Sequence, residues 1–192
     1  MRITTIRHGQ TQWNIEGRIQ GQSDVELNDA GLAQARKAGE RLAREPVDII
    51  YTSDLSRARK TAEIINTHHG VVLVETPALR EVSFGIFEGH VRAEVHAQME
   101  HYRAAGQQYP GSEWPTGYFP RVYKFMEETI AKDHRNIFIV SHFGTIRAII
   151  CCLLKLPPER RTDFTIENAA IHVFEGGAGG FSLIIENDYA HI

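Results

Sequence analysis

Three short polar clusters in this sequence each follow an apolar, β-branched run. Arg7-His8-Gly9 follows Ile3-Thr4-Thr5-Ile6, Ser53-Asp54-Leu55-Ser56-Arg57 follows the run that starts at Asp48, and Ser141-His142-Phe143-Gly144 follows the run that starts at Asn136. If the three runs are parallel strands of one sheet, their tips emerge along one edge and bring two histidines and two arginines together. A guanidinium fork matches phosphate oxygens and neutralises the charge that spreads over them in a transition state. A neutral imidazole is a nucleophile near pH 7. The combination points to phosphoryl transfer. One histidine at a strand end is an ordinary structural residue; the joint pattern carries the reading.

The elements that must position these tips follow from periodicity. Ile3 to Ile6, Asp48 to Ser53, Val71 to Val74 and Asn136 to Ser141 read as strands. Asn28 to Arg44 has alanines, leucines and charges at helical spacing, with Asn28 or Asp29 as N-cap. Ser56 to His69 is a second helix closed by Gly70, and Thr145 to Leu156 a third, stopped by Pro157-Pro158. Ala170 to Glu175 and Phe181 to Glu186 flank Gly176-Gly177-Ala178-Gly179-Gly180 and predict a glycine-turned hairpin. This alternation predicts an α/β fold, a three-layer αβα sandwich on a mainly parallel central sheet, as one domain over residues 1–192. Residues 82–135 depart from it, with helices predicted over Ala93 to Ala105 and Thr116 to Lys132 around Tyr109-Pro110-Gly111-Ser112-Glu113-Trp114-Pro115. Such an excursion either caps a site or packs a second small core.

Composition narrows the partners. A chain of 192 residues with 42% hydrophobic and 23% charged content can bury one substantial core. A net charge of −3 gives no basic footprint for nucleic acid, so an anion site must be local. The N-terminus lacks the apolar stretch of a secretion signal and no later run reaches spanning length, which predicts a cytoplasmic protein with no membrane contact. Cys151 and Cys152 are adjacent and read as inert buried thiols. His68-His69 are contiguous, and His90, His96 and His101 lack the spacing of a helical zinc pair, so no metal site is assigned. The glycine run lies between two strands and is no nucleotide cradle. The expected partner is a small-molecule phosphomonoester, with no cofactor. A homodimer is the assembly most common among soluble oligomers.

Arg7-His8-Gly9-Gln10-Thr11 with Asn14 resembles the opening motif of the histidine phosphatase superfamily, the phosphoglycerate-mutase-like proteins. Further blocks agree: Arg18 to Asp24, Leu27 to Gly31 with Gln34-Ala35, Thr52 to Ala58 with Thr61-Ala62, Leu79-Arg80-Glu81 with Phe84-Gly85 and Phe87-Glu88-Gly89, and Ser141 to Gly144. The tail, Asn187 to His191, resembles that of the phosphatase branch. The resemblance implies that His8 is the nucleophile and that Arg7, Arg57, Asn14 and His142 hold the phosphoryl group. It implies that Glu81 protonates the leaving oxygen and then activates water. Glu81 is preferred to nearby Glu88 because the family's acid follows the leucine-containing run. Beside a dianion, His142 should tend toward its charged form. Thr11 and Gln20 are candidates for further contacts to phosphate or its ester oxygen. Phe143 stands where the family commonly has glycine, and Phe87 where tryptophan is frequent; Phe143 with Trp114, Tyr118 and Phe119 would favour an apolar or aromatic ester.

The activity that follows is hydrolysis of small phosphomonoesters through a covalent phosphohistidine. One alternative is a phosphoglycerate-type mutase, but Glu81-Val82-Ser83-Phe84-Gly85 does not match the extended block that follows the acid in that branch. The other is an inactive phosphate-binding scaffold, against which the intact Arg7, His8, Arg57, Glu81 and His142 argue.

Overall fold

The computed structural model describes residues 1–177 and 179–192, so Ala178, within the expected glycine turn, lies outside the described residues. The chain runs β1 (Arg2–Arg7), α1 (Gln12–Ile15), α2 (Asp29–Leu42), β2 (Ile49–Ser53), α3 (Ser56–Asn66), β3 (Val72–Thr76), α4 (Arg92–Ala104), α5 (Phe119–Ile130), β4 (Asn136–Ser141), α6 (Phe143–Leu153), β5 (Ile171–Gly177) and β6 (Gly180–Asp188). The strands form one sheet in the order β3-β2-β4-β1-β5-β6. The first four of these are mutually parallel, whereas β5 runs antiparallel to β1 and β6 antiparallel to β5. The sheet is therefore mostly parallel, with the hairpin at one edge.

Alternation along the central strands feeds two cores. Ile137 and Ile139 of β4, with Ile49 and Tyr51 of β2, join the core that contains Val122 and Met126 of α5 and Ile146 and Ile149 of α6. Phe138 and Val140, with Ile50, face the other way into the core that contains Ala38 and Leu42 of α2 and Ala58, Ala62 and Ile65 of α3. Side chains of a strand point alternately to opposite faces, so one apolar run serves both helical layers. Register then levels the tips. Arg7 pairs with Ser141 and Thr52 with Val140, which places the ends of β1, β4 and β2 side by side.

Several element limits differ from the expectation for local reasons. Asn28 caps α2 by accepting from the Gly31 N–H. α3 stops at Asn66, where the side-chain amide exchanges two bonds with the backbone of Val71 and diverts the chain before Gly70. α5 begins at Phe119, three residues later than predicted, with Pro120 in its first turn, where a missing N–H costs nothing. α6 begins two residues early, at Phe143, and ends at Leu153 because Lys155 takes a left-handed conformation, with φ of 54°.

The first turn of α2 lies against the loop after β1. A Cβ on Gly31 would run into the backbone oxygen of Gln10, and one on Gly9 into that of Gly31, so neither obstacle is a movable side chain. A Cβ on Gly177 meets nothing within 4 Å among the described residues. Gly31→Ala is therefore expected to destabilise the fold by about 2 kcal/mol or more, and Gly177→Ala to stay within about 0.5 kcal/mol of the parent, as read by urea unfolding.

Candidate active site

The carboxyl ends of the parallel strands bring Arg7 (last residue of β1), His8 (directly after it), Arg57 (first turn of α3), Glu81 (after β3) and His142 (after β4) to one place. The His8 and His142 ring centres are 5.1 Å apart. Nδ1 of His8 is 2.7 Å from the Gly9 carbonyl oxygen, which can only accept, so Nδ1 carries the proton and Nε2 is left as a bare lone pair. His142 is fixed in the opposite sense. Nε of Arg57 donates to Nδ1 of His142 at 3.2 Å, so that nitrogen accepts and the ring proton resides on Nε2. Nε2 of His142 is buried and has no partner among the described residues. One imidazole thus offers a lone pair and its neighbour an N–H.

Burial, Arg57 and then Arg7 hold His8 well below the usual histidine pKa, and burial and Arg57 do the same for His142. His142 is thus held neutral by burial and Arg57, and protonating its Nδ1 would set two donors head to head across its bond to Arg57. Burial also lowers Arg7 and Arg57 to about 10, which leaves both charged at neutral pH.

Arg57 has no solvent exposure and donates through Nη1 to the Ser23 carbonyl at 2.8 Å and through Nη2 to the Gly21 carbonyl at 2.7 Å. Each Nη keeps a second hydrogen for an incoming anion. Arg7 spends Nη1 on the Ile166 carbonyl, while its buried Nε has no partner among the described residues. Glu81 sits at the start of α6. The Gly144 N–H lies 3.0 and 3.1 Å from its two oxygens, and the Val82 N–H donates to Oε1. His142, the N-cap of α6, makes no side-chain capping bond, so the Glu81 carboxylate supplies that function from another element.

All five residues except His142 line a cavity of about 940 Å³ that also takes in Asn14, Gln20 and Phe143. Oδ1 of Asn14 accepts from Thr11 and from Asn168, which directs the Asn14 NH₂ away from those bonds. Oε1 of Gln20 is buried without a partner among the described residues. Thr11 is not brought to the cavity: it is fully buried and caps α1 with its hydroxyl. Glu88 is also outside it, accepting from Gln22, Ser23, Ser83 and Phe84 to fasten the loop of Gly21 to the segment after Glu81. Of the aromatic residues expected at the site, Trp114, Tyr118 and Phe143 line the cavity and Phe119 does not. Phe143 and Trp114 also face cations, since Arg147 lies 4.0 Å from the Phe143 ring centre and Arg103 and Arg161 each 5.2 Å from that of Trp114.

Several positioning residues carried no sequence signal. Arg121 of α5 pairs with Glu113 through two nitrogens and donates to the carbonyls of Ala78 and Glu81, which pins the loop that presents Glu81. Gln22 bonds the same Glu81 carbonyl. Asn168 donates to the His8 carbonyl. Among the described residues no group of three or more His, Cys, Asp or Glu side chains is placed to hold a metal ion, and no helix is long and apolar enough to cross a membrane.

Residues 3–189 match the family description of the histidine phosphatase superfamily (branch 1). The chain belongs to that superfamily. A phosphoserine phosphatase 1 of Hydrogenobacter thermophilus is 30% identical over 181 residues, covering 90% of this chain and 85% of that protein. A phosphoglycerate mutase-like protein 4 of Arabidopsis thaliana is 34% identical over 202 residues, covering 99% and 86%. Among solved structures, a mycobacterial glucosyl-3-phosphoglycerate phosphatase superposes with a TM-score of 0.87 at 30% identity, covering 97% of this chain and 98% of that one. The chain is a phosphoric monoester hydrolase of the histidine phosphatase superfamily, and the arginine-rich cavity around His8 is its candidate active site.

Because the His8 pKa is lowered, the Nε2 lone pair is available above that pKa and lost only below it. The acid limb of kcat/KM, corrected for the second ionisation of the substrate phosphate, should therefore lie below pH 6.5. Arg57→Gln removes the leading charge that lowers it and should move the limb upward, whatever its effect on rate. A wild-type limb at or above 6.5 would contradict the neutral pair.

Proposed function

We propose that this histidine phosphatase hydrolyses small phosphomonoesters by two displacements at phosphorus, with His8 as nucleophile and Glu81 as the proton carrier for both. The observation that carries the reading is the bond from Nδ1 of His8 to the Gly9 carbonyl, which presents Nε2 as an unprotonated lone pair in a cavity walled by cations. In the first displacement the Nε2 lone pair forms the P–N bond, the P–O ester bond breaks, and the departing oxygen takes a proton from the Glu81 carboxylic acid. Nδ1 keeps its hydrogen, so the intermediate is a phosphorylated imidazolium. In the second, water attacks phosphorus, Glu81 recovers a proton from it, and the P–N bond breaks to return neutral His8 and inorganic phosphate. The retained Nδ1 proton makes His8 a good leaving group, and this is where the Gly9 carbonyl contributes.

Charge on the phosphoryl oxygens falls to Arg7, to the spare Nη hydrogens of Arg57, to the Nε2–H of His142 and to Asn14. These donors are fixed before substrate arrives, so little reorganisation is needed as charge develops. Gln20, with its unpartnered oxygen, suits an N–H or O–H donor close to the ester. A mycobacterial relative of this fold has been solved with VO3 and with inorganic phosphate, species that fit a site for phosphoryl transfer. Hydrolysis is favoured over mutase chemistry because the phosphatases among the solved relatives match this chain end to end, with 98% of the mycobacterial chain covered.

Brief incubation with a phosphorus-labelled ester and rapid quenching should leave label on His8 that is stable in alkali and lost in acid. His8→Ala should remove both label and turnover, and equal labelling of that variant would sink the mechanism. Gly144→Ala tests the proton carrier through its support. A Cβ there would lie 2.7 Å from Oε1 of Glu81, the mobile end of a side chain, so the carboxylate shifts while the fold persists. Turnover of alkyl esters should fall at least tenfold, with p-nitrophenyl phosphate less affected at the first step because its leaving group needs little protonation.

A further inference from the structure

β2 and β3 lie side by side, and their ladder ends where Ser53 faces Thr76. Beyond that pair the two chains diverge, one toward Arg57 and the other toward Glu81. Among the described residues one hydrogen-bonded link joins them past the ladder. Nε of Arg80 donates to Oδ1 of Asp54 at 2.8 Å and Nη2 donates to Oδ2 at 2.6 Å, a fork that takes both carboxylate oxygens. The bond from Arg80 lowers the Asp54 pKa, so the pair is ionised at neutral pH. Neither side chain lines the cavity. Arg80 directly precedes Glu81 in the chain, and Asp54 stands three residues before Arg57.

The remaining anchors of Glu81 refer it to other elements. Ser141 and Thr145 hold the carbonyls of Leu79 and Arg80, the Gly144 N–H holds the carboxylate, and Arg121 holds the carbonyls of Ala78 and Glu81. These bonds place the acid relative to β4, α6 and α5, and none of them reaches α3. Arg57 is set by the carbonyls of Gly21 and Ser23 and by His142. Acid and phosphoryl-binding guanidinium are thus each held, and the fork, beside the bond of Arg57 to His142, sets one against the other. Its side chains are 25% and 39% exposed, and an ion pair so open to solvent adds little to stability. A two-point fork nevertheless fixes direction as well as distance. Proton transfer to a departing oxygen tolerates little misplacement.

We propose that Asp54 and Arg80 are positioning residues for the general acid, whose fork aligns Glu81 with the ester oxygen of a phosphoryl group held by Arg57. The inference rests on the assignment of His8 as nucleophile and Glu81 as proton carrier. Neither Asp54 nor Arg80 touches substrate. Without the fork, Glu81 shifts with α5 and α6 while Arg57 keeps its carbonyls, so the leaving oxygen loses its proton donor before the phosphoryl group loses its seat. The signature is therefore a dependence on the leaving group. An alkoxide needs that proton, whereas p-nitrophenolate departs with little help. A pair that served only the fold would lower the active fraction and slow every ester alike.

The test is the ratio of kcat/KM for p-nitrophenyl phosphate to kcat/KM for glycerol 3-phosphate, taken on one preparation so that the active fraction cancels. Glu81→Gln should raise this ratio and so sets the scale. Asp54→Asn and Arg80→Gln should each raise it about fivefold or more, while the inhibition constant of inorganic phosphate stays within about twofold of the parent. The double variant should raise it no further than the larger single effect, because the two side chains act through one contact. Arg80→Lys, which keeps the charge but cannot fork, should fall between the parent and Arg80→Gln. An unchanged ratio in both single variants, effects that multiply in the double variant, or a loss of phosphate inhibition as large as the rise in ratio would overturn the positioning role, with His8 labelling leaving the phosphatase reading in place. If the single variants do not fold, Arg80→Lys decides, and a parental ratio there overturns the role. If Glu81→Gln leaves the ratio unchanged, or His8 of the parent takes no label, the underlying reading fails and the positioning role fails with it.

Discussion

Arg57 is a guanidinium with no solvent contact, and much of the site is arranged around that constraint. Removing such a group from water is costly unless its donors are matched. Here two backbone carbonyls and one imidazole match them, and the carbonyls are available only because the loop of Gly21 and Ser23 is folded over the guanidinium. That loop is held in turn by Glu88, whose carboxylate accepts several bonds from both sides of the join. Gly21 lies against the same carboxylate at a φ of 53°, so a side chain there would meet both strain and a clash. Once Arg57 is fixed, it acts on both histidines. Burial and then its charge disfavour an imidazolium at either ring, and its Nε–H forces His142 to accept at Nδ1.

The acid is positioned by a second device, the start of α6. A helix N-terminus has N–H groups without intrahelical partners, and Glu81, from the loop after β3, accepts from that of Gly144. Gly144 makes room for the carboxylate, Thr145 donates to the Arg80 carbonyl, and Ser141 donates to the Leu79 carbonyl. The strand-to-helix turn that carries His142 therefore also carries the support for Glu81, so nucleophile partner and proton carrier keep their relation when the rest of the cavity varies. Arg121 and Glu113, from the segment between β3 and β4, close the same loop from the other side. That segment both supplies cavity walls and braces the chemistry.

What the sequence made legible, and what it hid, divides along physical lines. β1, β2 and β4 are short apolar runs whose alternate residues fill two cores, and such patterns are readable because burial is a property of each residue and its neighbours. The polar tips after them were readable for the same reason. Thr11 was misplaced because a hydroxyl beside the nucleophile can serve phosphate or cap a helix, and only the geometry of α1 decides for capping. The start of α6 was missed by two residues because its cap comes from Glu81, far away in sequence. The bond from Arg57 that fixes the His142 tautomer has no trace in the sequence, because the two residues lie 85 positions apart. The carbonyls of Gly21 and Ser23 were invisible, since a backbone oxygen has no letter of its own. The aromatic residues were read as an apolar wall, while the arginines that stack on them come from α4, α6 and the turn after it, separate stretches of chain with no mutual spacing to notice.

Two adjacent imidazoles are both neutral and hold opposite tautomers, one as lone pair and one as donor. Nitrogen-15 chemical shifts of the histidine rings in the ligand-free protein at pH 7, assigned with His8→Ala and His142→Ala, measure this directly. The expected shifts are those of a protonated Nδ1 and bare Nε2 for His8, and of a bare Nδ1 and protonated Nε2 for His142. An imidazolium at either position, or a proton on Nε2 of His8, would contradict it.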